Sequence, residues 1–471
     1  MSFHLGKPIF VMLLIALATS VVVSTRRPPA RADMTMWVFA ISHANSYRLR
    51  DRGPSLVDEY ERKFGQTLNV NLINNRALDT RLLSLMMSGA TGDKVPDVVE
   101  LEINSVGKYF RFPPEKVGLL PLDEFLNASG LREELIAARL APWTRDGTLF
   151  GIPHDVHPVT LTYRKDLFDA AGVDLAACET WDAFSEACLR YQAYWRANGH
   201  PERVAMEMSP WASDPLLRLI LQRRVNLVDN HLVSHMTDPK VADTVVRYAT
   251  MVAGSRRIGA AASPGGNNWV QDLSTGALGA MVTADWRVTY IRKNGPESLQ
   301  GRLAMMPLPR FDPTDHPTST WGGTMLGIPR NARDPAASWR VIEHILFSAE
   351  GIAARKRYTD IISPVRRSWE DPDLVQPDPL YGGQRVGRMF IELAPQVPEY
   401  HATPFSSFAA TLLTEVLRQQ VLLVDAGASE TERREAAARH LRDADQYLKR
   451  IIAFSAFTQS NVAGEPTDVH E

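Results

Sequence analysis

The chain has 471 residues, of which 45% are hydrophobic and 23% are charged, a composition typical of a soluble globular protein. Its 52 basic and 54 acidic side chains nearly balance, which excludes the strongly basic surface that nucleic-acid binding requires. A chain of this length is too long for one ordinary hydrophobic core, so we expect two lobes.

The amino-terminal segment has the features of an export signal. Residues 9–23 form a nearly unbroken apolar run after Lys7, and a helix of that length spans about 22 Å, less than a bilayer core of about 30 Å. Ala30 and Ala32 form a cleavage motif. Three arginines before that motif oppose the usual charge asymmetry. Residues 1–32 are therefore interpreted as a signal peptide or a retained membrane anchor. Either places the body in the periplasm or on the extracellular face of the cytoplasmic membrane.

The first part of the body alternates between predicted strands and helices. Residues 36–41 predict a strand, and the polar residues 42–52 predict a loop. Pro54 is expected to begin a helix, and the alternation of residues 68–72 predicts a half-buried strand.

A helix over 81–87, a loop over 89–96 and a strand at Val98 continue this order. Strands and helices in alternation favour a mostly parallel sheet.

Cys178 and Cys188 are the only cysteines of the chain. Thr180 predicts an N-cap, which places Cys188 more than two turns into a helix, about 12 Å from the cap. A disulfide needs Cα atoms within about 7 Å. We therefore interpret Cys188 as a small core residue.

Capping patterns predict two helices in the second half of the chain. Asp334 followed by Pro335 predicts an N-cap with proline at the first helical position. Ser429 and Glu432 form a capping-box pattern before a last helix. The polar residues 458–471 are expected to form a loose tail.

Sequence signatures of catalysis are absent. The sequence has no phosphate-loop pattern, no nucleophile-elbow pattern and no metalloprotease histidine pair. His154 and His157 flank Asp155, but they lie in a proline-flanked loop or strand, so we predict no metal there. Carboxylates are numerous enough for a glycoside hydrolase, yet nothing singles out a pair. We expect no catalytic residue, no metal and no cofactor.

Several separated stretches of the chain carry recognisable motifs. The strongest stretch, at 147–174, reads GTLFGIPHDVHPVTLTYRKDLFDAAGVD and contains a Gly-Ile-Pro and a Tyr-x-Lys-Asp-Leu-Phe pattern. The other stretches are MWVF at 36–39, EYERKF at 59–64, GATGDKVPDVVELEI at 89–103, GLLPLDEFL at 118–126, GALGAMVTADWRV at 276–288 and WGGTMLGIPRNARDPAASWRVIEHIL at 321–346. In these motifs the chain resembles the bacterial extracellular solute-binding proteins of ABC importers, and among them the carbohydrate-binding type that includes the maltodextrin-binding proteins.

The resemblance implies an α/β fold with two lobes, each a mostly parallel sheet flanked by helices, and a ligand cleft between the lobes. The chain would cross between the lobes three times. The implied ranges are 34–145 and 321–373 for lobe 1, and 146–320 and 374–457 for lobe 2. Such lobes close on a ligand by a hinge, and no covalent chemistry is required.

The resemblance also implies the residues that would bind a sugar, because aromatic rings cover its apolar faces and polar groups pair with its hydroxyls. Trp286 matches the family's stacking tryptophan, Trp211 a cleft aromatic of lobe 2, and Tyr400 a late aromatic. The remaining candidates follow predicted strands or lie at a crossing, and they are Ser42, His43, Glu102, Asn104, Trp321, Gly322 and Gly323.

Two positions depart from the family pattern. Ala284 and Asp285 precede Trp286 where relatives have glycine, and Arg223 with Arg224 occupies a region where relatives often have paired glycines. Both departures leave the identity of the ligand open.

The expected function is capture of a small polar ligand, a carbohydrate, for the permease subunits of an ABC importer. A membrane-anchored sensing subunit that reports to a receptor and a carbohydrate-active enzyme remain as alternatives. We expect a monomer, no enzyme activity and no nucleic-acid partner.

Overall fold

The computed structural model describes residues 32–51, 53–263 and 268–463, together with residues 6, 10–12 and 14–17. Most of the predicted signal peptide or anchor, 1–32, lies outside these residues, as does the end of the predicted tail, 464–471. Across the described ranges, no helix is long and apolar enough to cross a membrane.

From Met34 onward, the described chain forms twelve β-strands and seventeen α-helices. The strands are β1 (Met34–Val38), β2 (Leu68–Leu72), β3 (Val98–Glu102), β4 (Thr144–Arg145), β5 (Thr148–Leu149), β6 (Ile152–Pro153), β7 (Val159–Arg164), β8 (Val204–Glu207), β9 (Gly259–Ala260), β10 (Leu278–Ala284), β11 (Leu303–Pro307) and β12 (Thr324–Gly327). The helices are α1 (Ile41–Arg48), α2 (Leu56–Phe64), α3 (Asn75–Met87), α4 (Ile103–Val106), α5 (Asp123–Ala128), α6 (Ala137–Leu140), α7 (Lys165–Ala170), α8 (Trp181–Ala197), α9 (Asp214–Gln222), α10 (Pro239–Val252), α11 (Asn268–Thr275), α12 (Asp285–Asn294), α13 (Pro335–Phe347), α14 (Ala349–Tyr358), α15 (Val386–Leu393), α16 (Ser406–Asp425) and α17 (Glu430–Ala463).

The first lobe is built around a five-stranded sheet with the order β2-β1-β3-β12-β6. β1 pairs in parallel with β2 and β3, whereas β12 pairs antiparallel with β3 and β6. Apolar side chains of the sheet and of the flanking helices form one core, which includes the fully buried Met36, Val99 and Ile342. The sheet is therefore mixed, with a parallel half and an antiparallel half.

The second lobe is built around a five-stranded sheet with the order β11-β7-β10-β8-β9. β8 pairs in parallel with β9 and β10, whereas β7 pairs antiparallel with β10 and β11. One core cluster joins this sheet to Phe184 of α8, Leu413 of α16 and Leu441 of α17. A second cluster joins Met281 and Phe390 of α15, so helices cover both faces of the sheet.

The chain passes between the two sheets three times. It leaves the first sheet after β6, returns to it between β11 and β12, and leaves again after α14. β6 belongs to the first sheet although the implied boundary at 145 assigns it to the second lobe. The first crossing therefore starts after Pro153. Crossing segments of this kind set how two lobes can rotate against each other.

Most of the predicted capping patterns are present in the structure. The Thr180 side chain accepts from the Ala183 amide, and the Asp334 side chain accepts from the Ala337 amide. Ser429 and Glu432 exchange both hydrogen bonds of a capping box. α17 continues to Ala463, so the predicted tail, 458–471, begins inside this helix.

The predicted loop at 42–52 is wrong, because α1 begins at Ile41, shortly after β1. The first residues of α1 offer no capping side chain, and the local sequence therefore gave no signal for a helix start. His43, Ala44 and Tyr47 are buried, and Tyr47 follows Ala44 by three residues and His43 by four, which is the spacing of one helix face. Tertiary packing of that face stabilises the helix.

Both cysteines are buried and free, and Cys188 lies in the core of the second lobe. The interpretation of Cys188 as a small core residue is confirmed.

Candidate functional site

The carboxyl ends of four strands lead into the predicted binding residues. β1 and β3 of the first sheet lead to His43 and Glu102, and β8 and β10 of the second sheet lead to Trp211 and Trp286. In open α/β sheets, ligands bind outside the carboxyl ends of the strands. The crevice between the two sheets is therefore the candidate site.

His43 lies in the first turn of α1 and is almost fully buried. Its Nδ1 donates to the Glu100 carboxylate at 2.8 Å, and its ring stacks on His154 with centroids 3.8 Å apart. Burial lowers the pKa of His154 well below its ordinary value, and the neighbouring His43 and Arg355 lower it further. His154 is therefore neutral at physiological pH. Ser42, beside His43, is half-buried.

Glu102 and Asn104 lie together at the end of β3. The Glu102 carboxylate accepts from Asn75 at 2.6 Å and from Asn104 at 3.0 Å. The Glu102 side chain is thus fixed by amides of its own lobe, whereas Asn104 is exposed.

A cavity of about 370 Å³ separates the two lobes at this point. Asn104 and Lys108 line it from the first lobe, and Arg218 of α9 lines it from the second lobe. Tyr400 also lines it, with its ring packed against the core of the first lobe. The structure therefore brings two of the predicted residues, Asn104 and Tyr400, to one cavity. Burial raises the pKa of the Tyr400 phenol, so this hydroxyl is neutral and able to donate.

The charged groups around the cavity are partnered. Lys108 pairs with Asp79, and Arg218 pairs with Asp214 at 2.9 Å. The hydroxyls of Ser406 and Ser407 at the start of α16 also line the cavity. The apolar part of the wall includes Leu217, Ile220 and Leu221 of α9, and Val225. Apolar surface mixed with fixed polar groups is typical of a small-molecule site.

Trp286 and Trp321 form an aromatic pair at the second crossing. Their rings are T-shaped with centroids 5.7 Å apart, and the Trp286 Nε1 donates to the Trp321 carbonyl at 3.1 Å. Gly322 and Gly323 follow with φ values of +88° and +153°. A side chain at Gly323 would collide with the guanidinium of Arg139. The close approach of Arg139 therefore favours glycine at 323, and the positive φ favours glycine at 322.

Trp211 lies in the loop after β8, with its backbone amide bonded to the Ser209 hydroxyl at 3.2 Å. Its side chain is 60% exposed, which is unusual for an indole ring in a folded protein. It therefore offers a free aromatic face on the second lobe.

Arg223 and Arg224 end α9. Arg224 has φ +67°, a conformation that glycine adopts without strain. Arg223 pairs with Asp243 at 2.8 Å and with Asp312 at 2.7 Å. Arg223 therefore fixes the end of α9 through ion pairs.

Four buried charged residues, which the sequence did not group together, meet at the crossings: Arg139, Asp155, His157 and Asp285, here called the crossing cluster. Arg139 pairs with Asp155 at 2.9 Å, and both side chains are fully buried. His157 lies between two carboxylates, with Nδ1 2.5 Å from Asp285 and Nε2 3.1 Å from Asp155. The sequence had drawn attention to Asp155 and His157 only as a rejected metal site, and to Asp285 only as a neighbour of Trp286.

The charges of the crossing cluster shift its pKa values. Burial alone would lower the pKa of His157, but the Asp155 and Asp285 carboxylates outweigh burial and raise that pKa to about 9. Burial alone would raise the pKa of Asp155, but His157 and Arg139 hold it well below its ordinary value. The cluster thus contains two cations and two anions at neutral pH.

Within the described ranges, no group of three or more histidine, cysteine or acidic side chains is arranged to hold a metal ion. His154 and His157 each bond to protein groups instead, to Tyr47 and to the two carboxylates.

The sequence profile described as "Bacterial extracellular solute-binding protein" matches residues 55–382 of this chain. An arabinooligosaccharide-binding protein of Halalkalibacterium halodurans is 21% identical over 405 residues, which cover 82% of this chain and 85% of that protein. A lactose-binding protein of Rhizobium radiobacter is 22% identical over 375 residues, covering 74% and 79% of the two chains. The family and these relatives are binding proteins.

Solved structures share the fold. The sugar-binding protein MalE of Xanthomonas citri has a TM-score of 0.71 at 19% identity, covering 89% of this chain and 98% of that one. A cyclo/maltodextrin-binding protein complexed with maltotetraose has a TM-score of 0.66 at 15% identity, covering 90% and 99%. These likenesses confirm the two-lobed α/β architecture that the sequence motifs implied.

Proposed function

Because this chain belongs to the family of bacterial extracellular solute-binding proteins, we propose that it captures a carbohydrate between its two lobes and delivers it to an ABC importer. The relatives named for arabinooligosaccharide and lactose binding support a sugar ligand. Delivery requires only that binding and release follow lobe closure and opening, so no bond of the ligand is broken.

The cavity between the lobes is the observation that carries this proposal. Its volume of about 370 Å³ lies within the range of small-ligand sites. Asn104 and Tyr400 offer an amide and a phenol, and α9 of the second lobe offers Arg218 and apolar side chains. A sugar has hydroxyls and apolar C–H faces, which match these two kinds of surface. Contact with both walls would favour the closed arrangement of the lobes.

The aromatic residues extend the proposed contact surface. We propose that Trp211 stacks on a sugar ring, because its side chain is 60% exposed at the carboxyl end of β8. Trp286 and Trp321 would form a less mobile platform, since each is half-buried and fixed by the other. His43 and Glu102 would support the residues that contact the sugar, because their own polar groups are hydrogen-bonded within the first lobe.

We propose that the first lobe comprises residues 34–145 and 321–373 together with residues 146–153. The second lobe then comprises the rest of 146–320 and residues 374–457. The pairing of β6 with β12 supports the assignment of 146–153 to the first lobe. We further propose that a monomer works outside the cytoplasmic membrane, with residues 1–32 as signal peptide or anchor. The description of the family as extracellular supports this location.

A binding screen tests the proposal. Purified protein is heated with arabino-oligosaccharides, maltodextrins and lactose, and with amino acids as a control class. A sugar present at 100 times its dissociation constant should stabilise the fold by about 2.7 kcal/mol. The same sugar, recovered after incubation and analysed by chromatography, should be unchanged.

Variants connect the screen to the cavity. Tyr400→Ala should lose the stabilisation by sugar, whereas Tyr194→Ala, on the outer part of α8, should keep it. A protein that no sugar stabilises would contradict the proposed ligand class, and a sugar recovered as cleaved products would contradict the binding role.

A further inference from the structure

His157 occupies a strained position at the first crossing between the lobes. Its φ is +56°, a left-handed conformation that residues other than glycine adopt at an energetic cost. Its carbonyl accepts from the Trp321 amide at 3.4 Å, and its ring is 3.5 Å from where a side chain at Gly322 would lie. The surroundings of His157 therefore hold it firmly, next to the Trp286–Trp321 pair.

Both ring nitrogens of His157 face carboxylates. Nδ1 is 2.5 Å from Asp285 and Nε2 is 3.1 Å from Asp155. A neutral imidazole donates from only one nitrogen, so this geometry is satisfied in full only by the doubly protonated ring. The raised pKa of His157, about 9, agrees with this reading.

Each carboxylate also holds a different crossing. Asp155 accepts from the Thr324 amide at 2.9 Å, at the end of the second crossing. Asp285 accepts from the Ile362 amide at 2.7 Å, on the third crossing, and from the Trp286 amide at 2.8 Å. His157 therefore connects all three crossings and the aromatic pair through two anions.

The crossing cluster also reaches the cavity. Arg139 donates to the Thr320 hydroxyl at 2.9 Å, and Arg218 of the cavity wall donates to the Thr320 carbonyl at 3.0 Å. A change in the arrangement of the cluster would thus be transmitted to a residue that lines the proposed ligand site.

We propose that His157 is a positioning residue, whose imidazolium holds the three crossings and the aromatic pair in the arrangement that binds ligand. The inference rests on the proposed function, since it assigns His157 to the hinge of a binding crevice.

The charges that face His157 decide the effect of its proton. Asp155 and Asp285 lie against its two nitrogens, Arg139 pairs with Asp155, and His154 behind them is neutral. Loss of the imidazolium proton leaves one cation for two buried anions. Such an imbalance favours rearrangement or hydration of the cluster. Ligand affinity should therefore fall as the pH rises through about 9.

The first test needs no variant and no ligand. The imidazole carbon shifts of His157 are followed by NMR from pH 5.5 to 10.5 in the wild-type protein. We expect a ring that stays protonated through pH 8 and titrates near 9. A His157 ring that titrates at 6.5 or below would overturn the proposal.

The second test compares His157→Gln with His344→Gln, which removes a buried imidazole that bonds to the Leu56 carbonyl within the first lobe. Amide exchange at Thr324 and Ile362 should be at least tenfold faster in His157→Gln than in His344→Gln at the same pH. Equal exchange rates would show that His157 does not hold the crossings.

The third test measures the affinity of arabinotriose, maltotetraose and lactose at pH 7.5 and 9.5. For a probe that binds, wild type and His344→Gln should lose about tenfold in affinity at the higher pH, and His157→Gln should be weak at both. Equal pH profiles for His157→Gln and wild type would show that His157 has only a structural role.

If none of the probes binds, the proposed function fails, while the first two tests still decide the role of His157. If His157→Gln does not fold, the wild-type titration and pH profile decide it.

Discussion

The crossing cluster and the inter-lobe cavity lie close together, joined by Arg218 and Thr320, but they are built from opposite kinds of contact. The cluster is buried and contains two positive and two negative charges. The Asp155 carboxylate by itself contacts three partners, which are Thr324, His157 and Arg139. The cavity is open, and Asn104 of the first lobe and the hydroxyls of Ser406 and Ser407 on α16 of the second lobe present polar groups to it. A buried ion network has one geometry, whereas exposed polar groups can exchange water for ligand.

This contrast assigns different properties to the two regions. Changes in the crossing cluster should act first on stability and then on affinity, because they alter how the lobes are held. Changes on the cavity wall should act on affinity with little effect on stability. The predictions below test that separation.

The largest effect is expected for Asp155→Ala. It leaves the buried Arg139 without its ion-pair partner and removes one of the two anions at His157, which should cost about 3–5 kcal/mol of unfolding free energy. Asp169→Ala, which removes a surface partner of Lys165 with 55% of its side chain exposed, is the control. Urea denaturation should show less than about 1 kcal/mol for that control. Similar losses for the two variants would remove the distinction between buried and exposed pairs.

The next effect is a pH dependence of stability. The folded-state pKa of His157, about 9, lies above the ordinary value of about 6.5. The stabilisation from its charge is therefore complete below about pH 6.5 and is lost as the pH rises through 9, an effect of about 3 kcal/mol. Because other groups titrate in this window, the quantity to measure is the difference between wild type and His157→Gln. A difference that is constant from pH 6 to 10 would contradict the assignment.

Trp286→Ala should affect both properties. The ring is half-buried and donates to the Trp321 carbonyl at 3.1 Å, so its loss should lower stability by about 1–3 kcal/mol. Loss of a stacking face should weaken sugar binding by about 0.5–1.5 kcal/mol. Thermal denaturation and calorimetric titration measure the two quantities separately. Unchanged affinity with an intact fold would place Trp286 outside the ligand contacts.

The smallest effect on stability is expected for Trp211→Ala. An exposed ring contributes little to the core, so the unfolding free energy should stay within about 0.5 kcal/mol of wild type. Affinity should nevertheless fall by about 0.5–1.5 kcal/mol, because the free indole face is lost. Tyr194→Ala, which removes a ring on α8 that contacts Trp195, should leave the affinity unchanged. Equal affinities for the two variants would leave Trp211 without a role in binding.

The sequence predicted the architecture well, since local patterns carry much of the information. Caps at Thr180, Asp334 and Ser429 marked helix starts, and separated motifs identified the family and hence the two lobes. The helix α1 was missed because its start has no capping side chain and its buried face is stabilised by tertiary packing.

The site was predicted less completely. Family motifs pointed to Asn104 and Tyr400, which line one cavity although they are far apart in the sequence. The crossing cluster was missed because its members lie on three separate segments and only the fold brings them together. Asp155 and His157 are recognisable in the sequence as a charged stretch between prolines. Nothing in the spacing of residues in the sequence, however, links them to their partners, Arg139 and Asp285.

The most direct test of the central claim is a hydrogen-exchange map with and without a sugar that binds. We expect saturating sugar to protect segments that line the cavity from both lobes in the same experiment, around Asn104 and Lys108 of the first lobe and around Arg218 of α9 in the second lobe. Protection confined to one lobe, or protection only at surfaces remote from the cavity, would contradict capture of the ligand between the lobes.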